Sequence, residues 1–220
     1  MARYKAKFQV TTVVDCEAGK DLSTELRSLL QTIFPEAKVQ VGHKHRLTEV
    51  LGEFSPEEVL PFALPQPQPR ETCMRREYVV NGETHKVRMC SSRYLVFQES
   101  RKCAACGLEG TKMLLERPPG SVTPHFNLYA EENGRLVLMT TDHVLPASKG
   151  GRNDLNNLQT YCAVCNTLKA NFLLTPEEVG RLRKVYDDNK GTLGKKTLAD
   201  LVRKTRQDIL DNRAADKASA

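Results

Sequence analysis

The sequence predicts an α+β protein: a small N-terminal α+β domain, a Pro-rich linker, a zinc-stapled module, and C-terminal helices. Three observations lead there. Apolar residues switch between the two-residue period of strands and the three-to-four-residue period of helices. Pro61, Pro65, Pro67 and Pro69 fall within nine residues. Two Cys-x-x-Cys pairs, Cys103 with Cys106 and Cys162 with Cys165, stand far apart in the chain.

Residues 1–60 form the first predicted domain. Tyr4 to Val14 is rich in β-formers and reads as a strand. Asp21 to Phe34 places Leu22, Leu26, Leu29, Leu30 and Ile33 at helical spacing, and Pro35 ends the run. Val39 to Val41 is a short strand candidate. Ser55-Pro56-Glu57-Glu58 has the form of a helix N-terminus, with a cap, a proline at the first position and acids in the first turn. Residues 61–70 alternate proline with glutamine, which favours an extended linker and a domain boundary. The role of residues 1–60 is not written in their sequence.

Residues 71–102 lead into the module. Tyr78 to Val80 and His85 to Met89 flank Asn81-Gly82, a hairpin signature. Arg93 to Lys102 carries Tyr94, Leu95 and Phe97 and predicts a short helix. The module itself is expected over 103–172. Phe126 to Tyr129 and Leu136 to Thr141 predict strands joined through Glu131-Glu132-Asn133-Gly134. Residues 173–220 form a basic helical extension. Thr175-Pro176-Glu177-Glu178 caps one helix, with Val179, Leu182 and Val185 inward. A last helix is expected from Thr197 to Asn212, with the tail from Ala214 frayed.

Composition is that of an ordinary globular protein with a mild basic excess. The chain has 220 residues, 33 Lys and Arg against 27 Asp and Glu, and no Trp. Residues 1–69 carry 8 basic and 9 acidic side chains, so the excess lies downstream, with the cysteine pairs. That balance is compatible with a nucleic-acid partner without requiring one. No apolar run has the length of a membrane-spanning helix, and the N-terminus has no secretory pattern. The expected setting is the reducing cytoplasm, where paired Cys-x-x-Cys motifs bind metal rather than form disulfides.

Cys103, Cys106, Cys162 and Cys165 are therefore read as a structural Zn2+ site. Two intervening residues let both thiolates of a pair face one ion. The ion would tie the start of the module to its end, a useful staple where the core is small. Four free buried thiols, or a redox pair, are the alternatives that two such pairs disfavour. Cys16, Cys73 and Cys90 have no partner spacing and read as unpaired thiols. His43, His45 and His85 likewise read as surface residues.

Between the cysteine pairs lie Asp142-His143, then Asn157 within Asp154-Leu155-Asn156-Asn157-Leu158-Gln159, then Cys162-Ala163-Val164-Cys165-Asn166. Each piece alone is weak. In this order and spacing, over roughly Cys103 to Asn171, they resemble the HNH, or ββα-metal, nucleases of the zinc-containing four-cysteine type. The hairpin before Asp142 also resembles theirs.

The resemblance implies a metal-dependent endonuclease that hydrolyses DNA phosphodiester bonds and leaves 5′-phosphate ends. Phosphodiester hydrolysis needs an activated water, charge relief on the phosphate and a stabilised leaving oxygen. A divalent ion supplies the last two, and a histidine near neutrality supplies the first. By resemblance His143 is the general base, and Asp142 and Asn166 hold a catalytic Mg2+ or Mn2+. Asn157 holds the loop that aims His143.

Lys149, Gly150, Gly151 and Arg152 form a basic loop between these pieces. Lys149, Arg152 and His125 are the candidate DNA contacts. Arg181, Arg183, Lys184, Lys195, Lys196, Arg203, Lys204 and Arg206 offer a basic helical face, diluted by Asp187, Asp188, Asp200, Asp208 and Asp211. The alternative is a catalytically silent zinc-dependent module that binds nucleic acid or a protein partner. Nothing in the sequence decodes a target sequence, an oligomeric state or a biological setting.

Overall fold

The computed structural model describes residues 48–65, 73–118 and 120–218. The chain divides into two units, Met1–Leu47 and Thr48–Ala220, and all described residues belong to the second. The elements expected at Tyr4 to Val14, Asp21 to Phe34 and Val39 to Val41 lie outside the described residues, as do residues 66–70 of the expected linker.

The second unit is α+β. Its main sheet has five antiparallel strands in the order β1-β4-β5-β6-β7: β1 (Glu49–Phe54), β4 (Gly110–Arg117), β5 (His125–Glu132), β6 (Arg135–His143) and β7 (Leu158–Cys162). A separate two-stranded ribbon pairs β2 (Arg75–Val80) with β3 (Glu83–Arg88). The helices are α1 (Pro56–Val59), α2 (Ser92–Glu99), α3 (Ala163–Lys169), α4 (Pro176–Asn189) and α5 (Lys195–Ala218).

Both hairpins turn on Asn-Gly, at Asn81-Gly82 and Asn133-Gly134, and all four residues have positive φ. That pairing of signs is the turn whose twist matches two antiparallel strands, so an Asn-Gly dipeptide fixes the register on both sides. Strands β5 and β6 are longer than the alternation alone indicates because each pairs on both of its edges.

Three strands enter where none was expected: β1, β4 and β7. β4 is GTKMLLER, a run of good helix formers. It becomes a strand because β1 and β5 pair with its two edges, and Met113, Leu114 and Leu115 are buried there. Local preference is weak against that burial. β1 in turn joins residues 49–54 to this sheet. The boundary expected at 61–70 therefore falls inside the second unit. Leu60–Phe62 is a 3-10 turn with Leu60 buried, and Leu64 bridges to Cys90.

The core forms between the sheet, the ribbon and α2. Phe54, Tyr78 and Phe126 meet edge to face, with ring centroids 4.8–5.4 Å apart. This geometry adds to the area that three rings remove from water. Tyr94 of α2 reaches the same place, its hydroxyl accepting from the Phe126 N–H at 3.0 Å. His85 is buried, not on the surface as expected, because it alternates inward with Val87 along β3.

Cys73 and Cys90 form a disulfide, correcting the reading of both as unpaired thiols. The β2–β3 ribbon folds back between them and brings their Cα atoms to 5.8 Å, a proximity that sequence spacing does not show. Cys16 lies outside the described residues.

At the C-terminal end, Thr175 and Glu178 cap α4 reciprocally: Glu178 N–H donates to Thr175 Oγ1, and Thr175 N–H to Glu178 Oε2. Glu178 also pairs with Arg213, which ties α4 to α5. Helix α5 continues through Ala218, beyond the end expected at Asn212; the alanine-rich tail and the Arg213 tie favour helix over fraying. Among the described residues, no helix is long and apolar enough to cross a membrane.

Candidate metal centres and nuclease site

The four thiols come together. Cys103 and Cys106 lie in a tight turn before β4, Cys162 ends β7, and Cys165 is in the first turn of α3. All four sulfurs lie within 4.8 Å of one another, and Cys106 Sγ is 3.8 Å from Cys162 Sγ. Zinc–sulfur bonds of about 2.3 Å in a tetrahedron put sulfurs about 3.8 Å apart, so the cluster has the dimensions of a zinc tetrathiolate. Gly107 N–H donates to the Cys103 carbonyl at 2.9 Å, and the φ of +74° at Gly107 turns the chain back so that the Leu108 carbonyl accepts from Cys103 N–H at 2.8 Å. Ala104 N–H donates to the Thr160 carbonyl at 2.9 Å and fastens the turn to β7.

Proton sharing in the cluster also fits a cation. Cys106, then Cys162 and Cys165, hydrogen bond to Cys103 and hold it far below the usual thiol range. Cys103 in turn pushes Cys162 and Cys165 up. Cys106 is pushed up by Cys103 but pulled down more by Cys162 and Cys165, to about 7. Four thiolates this close repel one another, a repulsion that a dication bound among them would relieve.

Arg183 of α4 lies beside this cluster, its guanidinium 3.4 Å from Cys162 Sγ and 3.8 Å from Cys106 Sγ. It is buried, and Glu132 and Asp187 pair with it. Burial works against its charge, but these carboxylates outweigh burial and raise its pKa. Arg183 is therefore not on the basic face that the helical spacing implied. Arg206 is also engaged, donating to the Leu168 carbonyl and lying over the Phe172 ring. Lys184 and Arg203 pair with Asp188 and Asp200.

The second centre is built at the end of β6. Asp142 and His143 are its last residues, opposite Gln159 and Leu158 of β7. Asp142 is buried and His143 half-buried. Helix α3 reaches them with Asn166 and Lys169. Asn166 Nδ2 donates to Thr140 Oγ1 at 3.0 Å, while the Thr140 hydroxyl donates to the Tyr161 carbonyl. The threonine oxygen has no proton left to give, so it must face the amide nitrogen. The amide oxygen of Asn166, the atom able to bind a hard cation, stays out of that bond.

Lys169 is completely buried. Its ammonium donates to the His143 carbonyl at 2.7 Å and lies 2.8 Å from Asp142 Oδ2. The two partners differ in geometry. Only the carbonyl is aligned as a hydrogen-bond acceptor; Oδ2 is buried beside the positive charge without a directed bond. A buried carboxylate oxygen short of a donor fits a cation ligand.

His143 Nε2 lies 2.6 Å from Asn153 Oδ1. An amide oxygen only accepts, so this contact favours the tautomer with the proton on Nε2, whose Nδ1 lone pair is free.

Asn157 clamps the loop that follows. Its Oδ1 accepts from Leu145 N–H at 2.8 Å, and its Nδ2 donates to the carbonyls of Leu145 and Arg152 at 3.1 and 2.9 Å. Its backbone carbonyl accepts from Val144 N–H at 2.9 Å. Gly151 passes under this clamp. A Cβ there would lie 1.7 Å from the Leu145 carbonyl oxygen, so the segment has no room for a side chain. Gly151→Ala should force the loop open and cost more than about 1 kcal/mol, read as a lower midpoint in urea unfolding. Asn157→Ala should cost about 1–3 kcal/mol from the lost hydrogen bonds, by the same measurement.

Lys149 and Arg152 are exposed on this loop, Arg152 beside Asp154 at 3.2 Å. His125 is placed differently, at the start of β5. It contacts Asn127 at 3.3 Å, in a network that includes Glu116, Tyr129 and Arg93. Burial first, then the Arg93 charge, lowers its pKa.

The sheet end, the loop and α3 thus form a strand–strand–helix unit with the two centres on either side of α3. Residues 134–176 match the family model for HNH endonuclease. Over this segment the chain is similar to HNH endonucleases. No curated protein and no solved structure matches the chain. The HNH segment contains His143, Asn157, Cys162, Cys165 and Asn166, whereas Cys103, Cys106 and Arg183 lie outside it and complete the cysteine cluster from either side.

Three residues of these centres escaped the sequence reading. Lys169 follows Asn166 by three positions, so both lie on one helix face; that spacing was the available signal. Asn153 and Arg183 act through long-range contacts and had none.

Proposed function

We propose that this chain is a metal-dependent HNH endonuclease that hydrolyses DNA phosphodiester bonds. The observation that carries it is the convergence of Asp142, His143 and Asn166. Two elements far apart in sequence deliver a buried carboxylate, a free amide oxygen and an imidazole oriented by Asn153.

His143 acts as the general base. Nδ1 takes the proton from the attacking water while Nε2 stays bonded to Asn153, so the ring keeps its orientation through the step. Asp142 and Asn166 would hold a divalent cation, Mg2+ or Mn2+, which would relieve charge on the phosphate and stabilise the leaving oxygen. Asn157 keeps the loop after His143 closed. Lys149 and Arg152, exposed on that loop, meet backbone phosphates and hold the duplex in register. His125, held within its own network, is assigned at most a contact at the edge of the duplex. Zn2+ on Cys103, Cys106, Cys162 and Cys165 would fix α3 against the turn before β4 and the end of β7, with no part in the chemistry.

A magnesium titration of duplex cleavage tests the ligand assignment. Asn166→Ala should need on the order of 10–100 times more Mg2+ for half-maximal cleavage. Cleavage by Asn166→Ala with the wild-type magnesium dependence would remove Asn166 from the metal site.

A further inference from the structure

We infer that Lys169 is a built-in counter-ion that occupies the Asp142 carboxylate until a divalent cation takes it, and so sets a weak metal affinity. The inference rests on Asp142 as a ligand of the catalytic metal.

Lys169 is a positioning residue, since full burial keeps it from the substrate. Its ammonium joins the elements that carry the site: α3, which also holds Asn166, the Asp142 side chain and the His143 backbone. A cation ligated by Asp142 must share a carboxylate that already faces a full positive charge at 2.8 Å. Two like charges a few ångströms apart in a partly dry site repel strongly. The neutral carbonyl of His143 retains the ammonium in place, so the repulsion is not relieved by the lysine swinging away.

Removing the charge has two effects of the same sign. Without metal, Asp142 becomes a buried carboxylate with no counter-ion, which is costly. With metal, the ion no longer meets the ammonium. The opposing effect, looser positioning of one short side chain, is smaller. Lys169→Met should therefore bind the divalent ion at least about tenfold more tightly, while the metal-free protein loses thermal stability.

The test uses the full, zinc-loaded chain and free Mn2+ counted by its EPR signal. The expected result is tighter Mn2+ binding by Lys169→Met than by wild type, with the gain abolished in Lys169→Met/Asp142→Asn. Lys169→Arg, which keeps the charge, should bind as wild type does. If Lys169→Met does not fold, Lys169→Gln removes the charge and can still donate to the His143 carbonyl. Equal or weaker binding by the neutral variant, or no binding by either protein, overturns the inference. Magnesium-dependent nicking by wild type in that case would leave the nuclease reading intact.

Discussion

Replacing His143 with alanine is expected to reduce DNA nicking by about 10²–10⁴-fold, with zinc content and fold unchanged. The imidazole is half-buried and its side-chain partner is Asn153. The backbone around it is held by other means: pairing with β7, the Lys169 ammonium on its carbonyl and the Asn157 carbonyl on the next N–H. The substitution thus removes the proposed base without removing a support. Comparing initial nicking rates with circular dichroism and metal content of the same samples separates lost chemistry from lost structure. Undiminished nicking would assign the base elsewhere.

Zinc loss should be the larger structural event. The cluster joins the turn before β4, the end of β7 and the first turn of α3, and Cys162 Sγ also accepts from Cys165 N–H at the start of that helix. A structural tetrathiolate contributes folding free energy directly, and a domain has only about 5–15 kcal/mol in total. Cys162→Ser is therefore expected to abolish zinc binding and to lower the thermal midpoint by more than about 10 °C, or to remove a cooperative transition altogether. Nicking should disappear with it, because Asn166 and Lys169 follow the cluster on α3. A zinc-free variant with an unchanged midpoint would show that packing alone holds α3 in place.

The cysteine cluster and the grouping of Asp142, His143, Asn157 and Asn166 were legible in the sequence for one physical reason. Metal ligands and a loop-closing asparagine are tied to short local geometries, so residue type and spacing carry most of the information. The Asn-Gly turns were legible likewise, since that dipeptide suits a backbone with positive φ. β1 and β4 were not, because KMLLE is indifferent or helical until β1 and β5 flank it. The Cys73–Cys90 bond was hidden by the ribbon that closes it. Arg183 looked like one more cation on a basic helix; only the packing of α4 against the cysteine cluster shows it buried between Glu132, Asp187 and two sulfurs.

The central claim is that these residues cut DNA with a divalent metal. Incubating the purified chain with supercoiled plasmid, in Mg2+ or Mn2+ and in parallel with EDTA, tests it most directly. The account predicts conversion to open circles with metal and none with EDTA, since a single-metal site cuts one strand at a time. Intact supercoils after exposure to a folded, zinc-loaded protein with either metal would contradict it, and would favour a silent zinc-dependent module that binds DNA or a protein partner.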